Sequence, residues 1–188
     1  MSGKILDEKE VKRLLQVVEF TSHNERNRLI VQLGLLGGLR SMEITNLKVG
    51  DVVTNDNRVK EVWFLKKEQV KGSKNNKVYI SDRLQKELLR YFAKFTQKIT
   101  QKDSYLVTTQ KRSKFSPQSL QNEMKTWFKD SGLDNCSSHS LRRTFITNLS
   151  NKMLNIRVIQ KLSRHSNLNT TQLYIETNDS QLLKGVNL

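Results

Sequence analysis

Apolar residues recur at three- and four-residue intervals along most of the chain, and the period drops to two in a single region. In LDEKEVKRLLQVVEF (residues 6–20), Val11, Leu14, Leu15 and Val18 share one face, acidic residues come early, and Asp7 stands where a helix cap belongs. A second helix is predicted over residues 24–36, with Leu29, Ile30, Leu33 and Leu36 inward and Gly37-Gly38 as its end. Leu39-Arg40 then leads into a short helix, RSMEITNL. Between Val49 and Ser81 the texture becomes strand-like: Val62, Trp63, Phe64 and Leu65 form one run, and Val78, Tyr79 and Ile80 another. They flank KKEQVKGSKNNK, which predicts a hairpin with a long basic tip. Ser81 or Asp82 caps a further helix with Leu84, Leu88, Leu89, Phe92, Phe95 and Ile99 as its inward stripe. After a short apolar run at residues 105–107, Ser116 as cap, Pro117 at the first position and Gly132 as stop frame another helix, with Leu120, Met124, Trp127 and Phe128 inward. Helices over about residues 140–152 (Leu141, Phe145 and Leu149 inward) and 155–164, and a third near Thr170, complete the set. The predicted class is α+β, mainly α, with a small antiparallel β-sheet, and nothing in residues 1–188 reads as a linker between domains.

Composition narrows the function. The balance of 36% hydrophobic and 27% charged residues is that of a globular chain. No apolar run approaches the ~20 residues of a membrane-spanning helix. Lys and Arg number 33 against 18 Asp and Glu, a formal charge of +15. Because these cations are spread through helices and loops, they predict a positive face on a folded body, suited to a phosphate backbone. Cys136 is the only cysteine, so an internal disulfide is excluded and a zinc site has no cysteine companions. The first residues lack the basic-then-apolar pattern of a signal peptide, which leads to the expectation of a cytoplasmic protein.

The candidate chemistry gathers between Ser138 and Tyr174. His139 and Arg142 stand three apart near a predicted helix start, so they share a face close to the positive end of the helix dipole. His165 precedes Tyr174 by nine residues. A phosphodiester under attack gains negative charge on its non-bridging oxygens. Guanidiniums, always charged and forked, bind such oxygens bidentately, and Arg40 and Arg142 form the candidate pair. His165 can donate to the same phosphate. Tyr174 supplies a phenol, a weak nucleophile unless cations stabilise its phenolate. A hairpin-tip lysine can protonate the leaving oxygen.

Three boxes, in order, resemble the tyrosine recombinase (phage integrase) family over most of the chain. Gly38-Leu39-Arg40 with Glu43 resembles GLRxxE. His139-Ser140-Leu141-Arg142-Arg143-Thr144-Phe145 resembles HxLRHTF. Leu162-Ser163-Arg164-His165 through Thr170-Thr171-Gln172-Leu173-Tyr174 resembles LGHxxxxTTxxY. The resemblance implies that Arg40, His139, Arg142 and His165 surround the scissile phosphate, that Glu43 supports them from behind, and that Tyr174 becomes joined to a 3′-phosphate. Lys71-Gly72-Ser73-Lys74 resembles the family's KGxK turn, which favours Lys71 as the catalytic lysine, with Lys74 as the alternative. Lys74, Lys77, Arg143 and Arg164 are the candidate DNA contacts. Arg143 stands where the family commonly has His, Arg164 where it has Gly, and Ser81 where a Pro usually follows the hairpin. Arg164 is expected to add a DNA contact or to stiffen the turn before His165.

The activity so implied is site-specific recombination. One strand of double-stranded DNA is cut through a phosphotyrosyl link, without metal or other cofactor, and partners are exchanged in a tetramer on paired sites, the free protein being a monomer. A cytoplasmic, nucleoid-associated protein of bacterial, phage or mobile-element origin is expected. Only 39 residues precede Arg40, so the chain is expected to be the catalytic domain without the family's amino-terminal clamp, as an excised domain or a natural short recombinase like the fimbrial-switch invertases. DNA binding should then be weak and salt-sensitive. Two rivals remain at this point: a nicking-closing activity like that of type IB topoisomerases, and a DNA-binding regulator that cuts nothing. Strand exchange between two sites separates the first from a recombinase; a requirement for Tyr174 separates the second.

Overall fold

The computed structural model describes residues 4–70, 76–152, 154–175 and 186. Its core is built around a helix that is buried nearly all round, polar residues Arg26, Asn27 and Gln32 included. Helix α2 (Asn24–Gly37) buries Leu29, Ile30, Val31, Leu33 and Leu35. Burial on so many sides makes it the central element. Helix α1 (Glu8–Glu19) packs on it through Leu14 and Val18 and starts as expected at Asp7, whose carboxylate accepts from the Glu10 amide at 2.8 Å. Helix α5 (Asp82–Lys94) and helix α7 (Ser138–Asn151) lie against other faces of α2. Helix α6 (Pro117–Asp130) adds Leu120, Met124, Trp127 and Phe128 to the core, with Ser116 as cap and Pro117 in the first turn.

Residues 62–65 (β1) and 76–79 (β2) form an antiparallel pair in the register Val62↔Tyr79, Trp63↔Val78, Phe64↔Lys77 and Leu65↔Asn76. The period of two is visible in burial: Trp63, Leu65 and Val78 face the core, and Phe64, Lys77 and Tyr79 face out. Two expectations are corrected. Val49–Val52 is a helical turn (α4) that follows the short helix α3 (Ser41–Asn46) and precedes any strand. In α5 the stripe is Leu84, Leu88, Tyr91 and Phe92, while Leu89 and Phe95 are exposed. Tyr91 takes the inward place because its hydroxyl reaches the Leu106 carbonyl at 2.9 Å, and Phe95 stands where the helix has already ended.

After α7, helix α8 (Ile156–Ser163) and the short α9 (Leu168–Gln172) lead to Tyr174. Among the described residues no helix is long and apolar enough to cross a membrane.

Candidate active site

Closeness of α2 and α7 fixes the site. Gly34 faces Leu141 so tightly that a Cβ on Gly34 would lie 2.8 Å from the Leu141 Cβ. At its end α2 turns left-handed at Gly38 (φ +57°), where a Cβ would meet the Phe145 ring at 2.4 Å. Both a positive φ and a missing side chain are therefore required there. The turn exposes the Gly37 and Gly38 carbonyls to guanidiniums arriving from α7 and α8, and it delivers Arg40 to the cap of α3.

Arg142 is buried, and its fork donates to the Gly38 carbonyl and the Ser163 carbonyl. One side chain thus ties α2, α7 and α8 together. Burial pushes its pKa down to about 9, with Arg164 and Arg40 adding to the effect, which leaves it charged at neutral pH. Arg164 is the C-cap of α8 in a left-handed conformation (φ 56°). Its guanidinium donates to the Gly38 carbonyl at 2.7 Å, the Gly37 carbonyl at 3.2 Å and Glu43 Oε2 at 2.9 Å. Its side chain is 2% exposed, its guanidinium turned inward against the end of α2 and Glu43.

Glu43 joins this buried charge to Arg40. Its Oε1 accepts from Arg40 Nη1 at 3.0 Å and its Oε2 accepts from the Arg40 amide at 2.9 Å. Burial alone would raise the Glu43 carboxyl, yet Arg164, the Arg40 amide, Arg142 and Arg40 together hold it below its ordinary value. Arg40 stays partly open to solvent, its side chain 30% exposed. A small, open cleft is lined by Arg40, Ser41, Ser138, His139 and Arg142. The first turn of α7 opens on it, so its amide dipoles favour an anion there.

His165 follows the α8 cap. Its Nδ1 is 3.0 Å from Thr171 Oγ1, and its ring stacks on Tyr174 with centroids 5.8 Å apart. Burial pushes the imidazole down to about 4, with Arg142, Arg40 and Arg164 reinforcing the shift, so it is neutral at pH 7. Arg143 stands with its guanidinium carbon 5.5 Å from the centre of the Tyr174 ring.

The structure therefore gathers Arg40, His139 and Arg142 at one cleft, with Glu43 buried behind Arg40 and the stacked pair of His165 and Tyr174 close to Arg142. Lys71 and Lys74 lie outside the described residues. Lys77 is exposed on β2 with its ammonium 5.4 Å from the Phe64 ring centre. The motifs overlooked Ser41 and Ser138 on the cleft wall and Thr171 behind His165. Ser41 is 6% exposed, and its Oγ has no hydrogen-bond partner among the described residues. Its position next to Arg40 was the available signal, and Thr171 stood within the TTQLY segment.

Residues 4–181 match the phage integrase family. The tyrosine recombinase XerA of Pyrococcus horikoshii is 35% identical over 188 residues, covering 97% of this chain and 60% of that protein. The tyrosine recombinase XerC of Proteus mirabilis is 28% identical over 182 residues, covering 96% and 57%. The chain thus spans about 60% of the length of these curated relatives. A crystal structure of XerA recombinase matches with a TM-score of 0.75 at 28% identity, over 97% of this chain and 62% of that one. XerH recombinase bound to its difH substrate shares the fold, with a TM-score of 0.74 at 21% identity over 100% and 54%. A family match along nearly the whole sequence coincides with a site whose Arg, His and Tyr boxes close on one another, and the chain belongs to the phage integrase family.

Proposed function

We propose that this domain cuts and rejoins one strand of double-stranded DNA as the catalytic unit of a site-specific recombinase. Arg40 and Arg142 hold the non-bridging oxygens of the scissile phosphate, with His139 and neutral His165 as further hydrogen-bonding groups. The phenol gives its proton to solvent, the nearby cations stabilise the phenolate, and the Tyr174 oxygen bonds to phosphorus. The bond from phosphorus to the 5′-oxygen breaks, and that oxygen takes a proton from Lys71 or Lys74. The phosphotyrosyl link keeps the energy of the broken phosphodiester, so a 5′-hydroxyl from another strand can reverse the step without a nucleotide cofactor. Exchange of partners needs four protomers on two paired sites, assembled on DNA from free monomers. Such a substrate places the protein with the nucleoid in the cytoplasm.

The observation that supports this reading most is the cleft itself: Arg40, His139 and Arg142 converge on a small space at a helix start, with Glu43, itself paired to Arg164, holding Arg40 from behind and two backbone carbonyls holding Arg142. An anion is what that space suits. The test uses a nicked duplex that traps the cleaved state, with EDTA present, followed by a denaturing gel. The expected result is a covalent protein-DNA band from the wild type and none from Tyr174→Phe. An equal band from Tyr174→Phe, or none from the wild type, would refute the reading.

A further inference from the structure

Two side chains stand against the Tyr174 ring. On one side the His165 ring stacks at 5.8 Å and 29°, and the Arg143 guanidinium also stands over the ring at 5.5 Å. Arg143 follows Arg142 on α7, and the 100° turn between neighbouring helix positions sends Arg142 into the core and Arg143 toward Tyr174. Arg143 Nε is buried and has no hydrogen-bond partner among the described residues. A guanidinium edge without a partner, beside a face applied to an aromatic ring, fits a group committed to that ring more than one reaching out to a phosphate.

We propose that Arg143 is a positioning residue that, with His165, keeps Tyr174 docked in its own active site before DNA arrives. The proposal rests on the reading of Tyr174 as the nucleophile. The segment from α9 to Tyr174 is short, and α9 buries only Thr171, so aliphatic packing contributes little to holding the phenol near the cleft. The cation over the ring adds an attraction that leaves the phenol oxygen free to move toward phosphorus. Arg143 thus acts on the orientation of the nucleophile and does not itself touch the reacting atoms. Where the family commonly has His at this position, this chain carries a permanent cation, so the hold persists at any working pH.

The test reads Tyr174 in the free 188-residue protein and then in cleavage. With fluorotyrosine at position 174, Arg143→Gln should shift and narrow the fluorine signal, while Arg143→Lys should keep it near the wild-type value. The rate of Tyr174 nitration, read by peptide mass spectrometry, should rise about two- to thirtyfold in Arg143→Gln, the factor matching the usual strength of such a contact. With saturating nicked duplex, formation of the covalent band should slow by a similar factor in Arg143→Gln and recover in Arg143→Lys, with DNA affinity unchanged. Unaltered signal and nitration in Arg143→Gln, or a variant that only weakens DNA binding, overturns the proposal in favour of a phosphate contact. A guarded Tyr174 in a wild type that forms no covalent band overturns the proposed function, and with it the purpose of the clamp. Circular dichroism of both variants distinguishes these results from unfolding.

Discussion

Glu43 commits both oxygens within the protein, to the Arg40 side chain and amide on one side and to Arg164 on the other. Neither Glu43 nor Arg164 has water available to replace a lost partner, since their side chains are 0% and 2% exposed. Glu43→Gln should therefore cost about 3 kcal/mol of folding stability, the usual penalty for leaving a buried charge unpaired, measured by urea denaturation. A loss below about 1 kcal/mol, the size of an exposed ion pair, would show that Arg164 is not buried in solution. A second residue-scale effect follows from His165. Its folded pKa of about 4 lies below the ordinary value of 6.5, so between these values the unfolded chain binds more protons than the folded one. Stability should then fall as pH drops from about 6.5 to 4, and His165→Gln should flatten that part of the profile. An unchanged slope in the variant would assign the loss to groups other than His165, and not to Glu43, whose contribution is lost only as the pH falls below the ordinary carboxylate range.

Among the elements, the contact of α2 with α7 decides whether the site exists, because Arg142 reaches the Gly38 carbonyl only across that gap. Gly34→Ala puts a methyl carbon 2.8 Å from the Leu141 Cβ and 2.9 Å from its Cδ1, inside van der Waals contact. The helices must separate, at a cost of about 1–3 kcal/mol. Chemical denaturation should show that loss, and cleavage of the nicked duplex should slow further than unfolding alone explains. A fully stable, fully active Gly34→Ala would mean that α2 and α7 slide without moving Arg142. Most helices were legible because their apolar period and caps agree, as at Asp7, Ser116 and Gly38. The exceptions have local causes. Val49–Val52 carries valines that favour strands, yet it turns once as a helix, with the Asp51 carboxylate accepting from the Lys48 amide at 2.8 Å. Leu89 and Phe95 match the apolar spacing, but a helix of thirteen residues has one buried arc, and Tyr91 with its bonded hydroxyl fills it. At the site, the boxes identified Arg40, Glu43, His139, Arg142, His165 and Tyr174, whereas the buried orientation of Arg164 depends on carbonyls 126 and 127 residues away in sequence.

Over the whole molecule, charge acts at two ranges, and salt separates them. The chain carries a formal +15, and exposed cations such as Lys77 on β2 attract a polyanion from a distance but are screened beyond a Debye length, about 8–10 Å in ordinary buffers. Arg142 and Arg164 are buried, so the proposed hold of Arg142 on a docked phosphate, and that of Arg164 on Glu43, should respond far less to added salt. With the non-cleaving Tyr174→Phe protein and a labelled duplex, affinity should fall steeply between about 50 and 200 mM salt, with a log–log slope of about −0.9 per phosphate neutralised. Lys77→Gln should make that slope shallower by about one contact. The wild-type cleavage rate at saturating DNA should change little over the same range. Anisotropy gives the affinities and the trapped covalent band gives the rate. If the slope is near zero, the positive surface does not meet DNA. If cleavage at saturation collapses along with binding, Arg142 is open to solvent when DNA is bound, and its contacts to the Gly38 and Ser163 carbonyls do not keep it in place.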